Sequence, residues 1–315
     1  MSVGLVLEGG GMRGLYTAGV LDAFLDAGIK VDGIVAVSAG ALFGVNFLSK
    51  QKGRALRYNQ KYASYPNYMG LRSWLRTGNV VNKEFAYYKV PMELDVFDEE
   101  TFEQSGVPFY VTVTNLETGK AEYHKIDNVF EQMELFRASS ALPVASKIVE
   151  WQGKHYLDGG LSDSIPVDFA KSLGFDKLIV VLTRPLDYRK KASSGRLYKL
   201  LYRHYPNFVE VASKRYQYYN DTLEHIIDLE QKGQVFAIRP SQPLEIGRLE
   251  TNPDKFEEIY QIGLKQAKAD MASLQAYLSK AWSPQWFRLF SLLFSWYNRS
   301  YTMNMEKWHG NLQSQ

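Results

Sequence analysis

Residues 7–24, LEGGGMRGLYTAGVLDAF, decide how the chain is read. The apolar run Val3 to Leu7 that leads into them reads as a short buried strand. Behind the glycines, Leu15, Ala18, Gly19, Leu21, Ala23, Phe24, Leu25 and Ala27 recur at helical spacing, and Gly28 stands where a helix is capped. Three consecutive glycines between a strand and a helix permit a turn that side chains would block. Their N–H groups, beside a helix N-terminus, can hold a negative charge. Gly9 to Gly14 also fit G-x-G-x-x-G, the dinucleotide-binding pattern. The charge could therefore be a pyrophosphate or a transient oxyanion, or the glycines could form a tight turn and nothing more.

A dinucleotide site wants an acid about 20 positions on, at the end of the second strand. Asp32 has nearly that separation, but it precedes the second apolar run, Ile34 to Val37. The end of that run is Ser38. Ala36-Val37-Ser38-Ala39-Gly40 is a near match to G-x-S-x-G, with alanine in the first position. Between a strand and a helix, this pattern places a serine hydroxyl on a sharp turn above the sheet edge. A serine N-cap for the helix Ala41 to Leu48 is the plainer reading. In a parallel sheet both turns lie at the same edge. The amides of Gly9, Gly10, Gly11, Met12 and Ala39 can then form an oxyanion hole for a carbonyl attacked by Ser38.

A serine nucleophile needs a base. None of the five histidines, His124, His155, His204, His225 and His309, stands in a catalytic context, and His155 reads as a surface residue of a strand. Directly after that strand comes Asp158-Gly159-Gly160, which alone would be a plain β-turn.

The remaining pattern continues an α/β fold. Strands are expected at Phe109 to Thr114, Leu178 to Leu182 and Val235 to Ile238, with a hairpin around Gln152-Gly153-Lys154. Helices are expected at Val129 to Arg137, Pro166 to Leu173, within Pro206 to Lys232, and from Pro253 to Lys280. Between Tyr58 and Val90 the pattern loosens into aromatic, glycine and basic residues, read as a cap at 58–90 over the site. The net charge of +3 gives no case for nucleic acid, and the absence of cysteine excludes thiol catalysis and disulfides. The first residues lack a signal peptide's basic region, and no apolar run reaches the roughly 18 residues of a membrane span. A cytoplasmic protein, peripheral at the inner face of the membrane, is the expectation.

Taken in order, Glu8 to Gly14, Ala36 to Gly40, Ala138-Ser-Ser-Ala-Leu-Pro143, Asp158-Gly-Gly160 and Ser162-Asp-Ser-Ile-Pro-Val167 resemble the patatin-like phospholipase family. The resemblance runs from residue 3 to about 185. It implies a three-layer α/β/α sandwich with a mostly parallel central sheet. It implies a serine acyl hydrolase of lipid esters, of phospholipase A or lysophospholipase type. Ser38 would be the nucleophile and Asp158 the proton acceptor of a histidine-free dyad, with Arg13, Gly14, Ala36, Gly40, Gly159 and Gly160 in support. Arg13 would brace the loop, meet an anionic headgroup, or pair with a helix neighbour. No metal or organic cofactor is implied. The expected organisation is a catalytic core at 1–185, a helical continuation with one strand at 186–280, and an aromatic tail at 281–315. Within the tail, 284–299 would form a helix that lies in a membrane interface or docks on the core or another subunit. Two other readings remain open: a nucleotide-binding oxidoreductase using Gly9 to Gly14, and a membrane-associated binding protein with little turnover. The oligomeric state is not legible.

Overall fold

In the computed structural model, which describes residues 1–192 and 194–279, the first elements are β1 (Val3–Leu7), α1 (Gly14–Asp26), β2 (Gly33–Val37) and α2 (Ala39–Leu48). There follow α3 (Arg54–Tyr62), α4 (Leu71–Thr77), a π-helical segment at Lys83–Leu94, and α5 (Glu99–Gln104). Then come β3 (Phe109–Asn115), β4 (Ala121–Ile126), α6 (Met133–Ser139), β5 (Val149–Trp151), β6 (Lys154–Asp158), α7 (Val167–Ser172) and β7 (Lys177–Val181). The last are α8 (Arg196–Leu201), α9 (Pro206–Gln231), β8 (Val235–Ile238) and α10 (Pro253–Ser279). The expected tail helix at 284–299 and His309 lie outside the described residues. Among the described residues no helix is long and apolar enough to cross a membrane.

The eight strands form one mixed sheet in the order β5-β6-β3-β2-β1-β7-β8, with β4 also on β3. The half from β3 to β8 is parallel, while β4 and β6 run antiparallel to β3 and β5 antiparallel to β6. Gln152 and Gly153 both have positive φ, 49° and 74°, as the two central residues of a tight β5–β6 hairpin require. The apolar strands are buried on both faces. Leu5, Leu7, Ile34 and Ala36 face one core that includes residues of α1, α2 and α10, and Val6, Val35, Leu178 and Val180 face another with residues of α7 and α9. Helices thus cover both faces of the sheet.

One register decides where the site lies. β4 occupies one edge of β3 from Phe109 to Thr114. The other edge is shared. β2 pairs with it as far as Val37 opposite Thr112, and β6 takes over with Asp158 opposite Val113. The two strands approach from opposite directions and end against each other. Ser38 and Asp158 are thereby brought to adjacent rungs.

The stretch 58–90 is more ordered than its sequence pattern suggests. Ala55, Leu56, Tyr58 and Tyr62 bury one face of α3, and α4 is bounded by Gly70 and Gly78, both with positive φ. α6 begins at Met133 rather than near Val129, because Gln132 Oε1 accepts from the Asp127 and Asn128 amides and closes a turn there.

α10 returns to pack on α1 at a glycine crossing. A Cβ on Gly19 would lie 2.1 Å from the Tyr260 carbonyl oxygen, and one on Gly263 would lie 2.0 Å from that of Tyr16. Tyr260 also donates to Asp22 at 2.7 Å. Because backbone is met on both sides, Gly263→Ala should cost about 1–3 kcal/mol of stability through overpacking. Gly247→Ala, where the nearest atom is 4.0 Å away, should cost much less. Denaturant midpoints of the two variants check this.

Candidate active site

Ser38 sits at the junction of β2 and α2 with φ 53° and ψ −122°. A non-glycine residue in that region carries strain of about 1–3 kcal/mol. The neighbours hold it there. The Ser38 amide donates to Ser139 Oγ at 2.7 Å, and the Ser38 carbonyl accepts from Ala41 and Leu42, starting the helix. A Cβ on Gly40 would lie 2.7 Å from the Glu8 carbonyl oxygen, so α2 can start this close to β1 only with glycine there. Gly14 meets Ala39 in the same way, at 2.8 Å between Cβ positions. Ala36 is buried in β2 and has no positive φ, so its methyl group fits without strain.

The Ser38 side chain makes no N-cap hydrogen bond, which sets aside the plainer reading. Its hydroxyl lies 3.5 Å from Asp158 Oδ2. That is long for an O–H···O bond, but contacts of this kind often tighten only around a substrate. Asp158 is held on three sides. Oδ1 accepts from the Gly160 amide at 2.7 Å, its amide donates to the Ala141 carbonyl at 3.0 Å, and its carbonyl accepts from Thr114 Oγ1 at 2.8 Å. A Cβ on Gly159 would lie 2.1 Å from the Thr112 carbonyl oxygen, which explains the glycine after the aspartate. Burial pushes the Asp158 carboxyl above the usual carboxylate range, against the opposing pull of Arg215, the Gly160 amide, Arg248 and Lys190.

The glycine loop lines the same cleft as Ser38 and Asp158. Gly11 has φ +59°, the left-handed region that favours glycine. The amides of Gly9, Gly10, Gly11 and Ala39 donate to no protein acceptor among the described residues. The Met12 amide differs: it donates to the Arg248 carbonyl at 3.2 Å and is thereby removed from the set of free donors. Glu8 is buried and fixed by Thr183 and by the Tyr219 hydroxyl. Arg13 is buried with no carboxylate in salt-bridge range among the described residues, and its Nε has no partner. Burial, with Arg184 nearby, lowers its guanidinium to about 10.

The cleft encloses about 1510 Å³, its open mouth included. Much of its lining is apolar, with Phe43, Tyr58, Met69, Val90, Phe97 and Phe136 among others, and Arg54, paired with Asp95, lies over the Tyr58 and Phe97 rings. Five further cations line it without a salt bridge among the described residues, Arg13, Arg184, Lys190, Arg215 and Arg248, and are here called its cationic arm. Among the described residues no histidine lines it. His155 lies outside it, with Nδ1 2.6 Å from Glu117 Oε1. Asp32 accepts from the Val3 amide at 2.7 Å, at the opposite end of the strands from the glycine loop, so it offers nothing to a dinucleotide held there. In the sequence Ser139 carries no role of its own, and no motif marks Arg184, Lys190, Arg215 or Arg248.

A patatin-like phospholipase family model matches residues 5–171, and a domain of unknown function (DUF6363) matches residues 205–279. The uncharacterized protein YjjU of Escherichia coli is 28% identical over 276 residues, 83% of this chain and 74% of that one. The lysophospholipase nte1 of Aspergillus niger is 30% identical over 193 residues; the match takes 59% of this chain and only 12% of that much longer one. Among solved structures, VipD from Legionella pneumophila aligns over 86% of this chain and 67% of that one, at 12% identity and a TM-score of 0.42.

Ser139 is the test of how the Ser38 turn is held. Ser139→Ala leaves the buried Ser38 amide without its acceptor and should cost about 1–3 kcal/mol, read as a lower denaturant midpoint.

Proposed function

The chain belongs to the patatin-like phospholipase family, and from that premise we propose that it is a serine acyl hydrolase of lipid esters, of phospholipase A or lysophospholipase type. The observation that carries the reading is the strained Ser38 turn, its hydroxyl facing buried Asp158 beside unpaired amides. Ser38 Oγ attacks the ester carbonyl carbon while its proton passes to Asp158. The amides of Gly9, Gly10, Gly11 and Ala39 hold the oxyanion of the tetrahedral intermediate. Collapse breaks the bond to the alcohol oxygen, which takes the proton from Asp158, and the acyl group stays on Ser38. Water, giving a proton to Asp158, then attacks the acyl carbon; the acyl–Oγ bond breaks, the fatty acid leaves, and Asp158 returns the proton to Ser38 Oγ.

An ordinary aspartate, with a pKa of about 3.9, is a weak base for an alcohol. Burial of Asp158 answers that difficulty, because its raised pKa makes it a stronger acceptor. The apolar lining takes the acyl chain, with residues 58–90 acting as its cap. The lipid substrate makes the protein a peripheral one at a membrane surface.

Fatty-acid release from a lysophospholipid and a p-nitrophenyl ester tests the reading. Asp158→Asn should lower kcat by about 10²–10⁴-fold, and Ser38→Ala should abolish turnover, both with unchanged circular dichroism. Full turnover by either variant would contradict the dyad.

The pH profile gives a separate check. Protonated Asp158 cannot accept the serine proton, so kcat/KM falls as pH drops through its pKa, which lies above the usual 3.8. Arg215 is the strongest influence holding that pKa down, so Arg215→Gln should shift the acidic limb to higher pH. An unmoved limb would separate Asp158 from the titration.

A further inference from the structure

The cationic arm of the cleft goes beyond what the dyad needs. Four of its five cations, Arg184, Lys190, Arg215 and Arg248, lie beyond the family match that ends at residue 171, and Arg215 and Arg248 fall in the 205–279 match of unknown function. We propose that this half of the chain builds a phosphate subsite beside Ser38, so that the preferred substrates are lipid esters carrying an anionic phosphate headgroup. The assignment rests on the hydrolase reading and adds the headgroup to it.

None of the five cations makes a salt bridge among the described residues. The Nε atoms of Arg13 and Arg215 are buried without partners, and Arg13 is 6% exposed. The carboxylates lining the cleft, Glu8 and Asp158, already accept from Thr183, Tyr219 and the Gly160 amide. Aromatic rings hold two of the cations: Lys190 Nζ is 4.0 Å from the Tyr219 ring centroid, and the Arg184 guanidinium 4.4 Å from that of Tyr188. Arg215 Nη2 would be 3.2 Å from a Cβ on Gly160, beside the Asp158 turn. Burying like charges together is costly until an anion joins them. Lys190 registers the cost: burial, then Arg215, lowers its ammonium to about 7. With apolar side chains and unpaired cations lining the same cleft as Ser38, the cleft matches an ester that joins an acyl chain to a phosphate. A neutral ester would leave those cations unpaired, which is how a polar site rejects a ligand.

The test compares lysophosphatidic acid, lysophosphatidylcholine and monoacylglycerol of one chain length, as monomers. Wild type should favour the first over the last at least ten-fold in kcat/KM, mainly through KM. Arg184→Gln/Lys190→Gln should collapse that ratio toward one, and Lys190→Arg should retain it. Equal rates on phosphate and neutral esters in the wild type would overturn the subsite. Inactivity on every ester, p-nitrophenyl esters included, would count against the hydrolase reading instead. The subsite is then read by thermal shift with glycerol 3-phosphate and inorganic phosphate. Stabilisation of the wild type by glycerol 3-phosphate, absent in the double variant, supports it; no stabilisation by either anion overturns it. Inorganic phosphate binding with no preference among the lysolipids marks a free-phosphate site and overturns the headgroup assignment.

A separate surface is formed by α4 and α8. Leu71 and Leu75 on α4 are 71% and 70% exposed, and Leu200 on α8 is 70% exposed. The loop 142–147 joins these helices: Trp74 Nε1 donates to the Val144 carbonyl at 3.3 Å, and the Val144 amide donates to the Tyr202 hydroxyl at 3.0 Å. Val144 itself, a β-branched residue, is held at φ 70° and is 40% exposed. The charged residues of 71–77, 142–147 and 196–203 are all basic: Arg72, Arg76, Lys147, Arg196, Lys199 and Arg203. Leu142 and Ala145 of the same loop line the cleft, so this face connects to the site through the loop. We infer that it docks on an anionic phospholipid bilayer, leucines inserted and cations at the headgroups. Wild type should co-sediment with phosphatidylcholine vesicles containing phosphatidylglycerol, less so in high salt, and poorly with phosphatidylcholine alone. Leu71→Ser/Leu75→Ser/Leu200→Ser should lose most of that binding while keeping its circular dichroism. Unchanged sedimentation of the triple variant would overturn the inference. So would a concentration-dependent dimer that the triple variant abolishes, since the face would then meet a second copy.

Discussion

The candidate site depends on one shared strand edge. β2 and β6 arrive at β3 from opposite directions and stop on consecutive rungs, Thr112 and Val113. Backbone hydrogen bonding, not side-chain recognition, therefore sets the separation of Ser38 and Asp158. The local glycines follow from the same constraint. Gly159 must clear the Thr112 carbonyl, and Gly40 must clear the Glu8 carbonyl. Ser139, from α6, supplies the acceptor that lets Ser38 keep its strained turn. Shifting β6 by one residue would turn Asp158 to the other face of the sheet.

Electrostatics complete the arrangement. Asp158 is buried, and burial alone favours its neutral form. The cations opposite moderate that effect without neutralising it through a direct ion pair. Arg215, Arg248 and Lys190 tune the aspartate, and the proposed anion subsite uses the same three side chains. All three come from the part of the chain beyond the family match, which also packs α10 against α1 through Gly19 and Gly263. The C-terminal half thus contributes to the cleft as well as to the core.

The sequence carried some of this well and some not at all. Buried strands such as Val3–Leu7 and Lys177–Val181 are legible because both faces are covered, so their residues read as apolar runs. The two turns at Gly9 to Gly14 and Ser38 are legible because only small residues fit there. The antiparallel flank was half visible: the Gln152-Gly153 turn announced β5 and β6, but nothing local says that β6 joins β3 just past β2. The aromatic segment from Tyr58 hid helices, since its buried and exposed residues are alike in type. The role of Ser139 and the cationic arm were invisible because α6, α9 and the loops meet there only in three dimensions. Met12 shows the reverse limit, where a backbone amide in a good motif is taken up by Arg248 from far along the chain.

The central claim is that Ser38 is a nucleophile activated by Asp158. Treating the folded wild type with a fluorophosphonate and mapping the adduct by mass spectrometry tests it most directly. One phosphonyl adduct is expected, on Ser38, forming far more slowly in Asp158→Asn. A folded protein that stays unlabelled with detergent or vesicles present, or an adduct on a different serine, would contradict it.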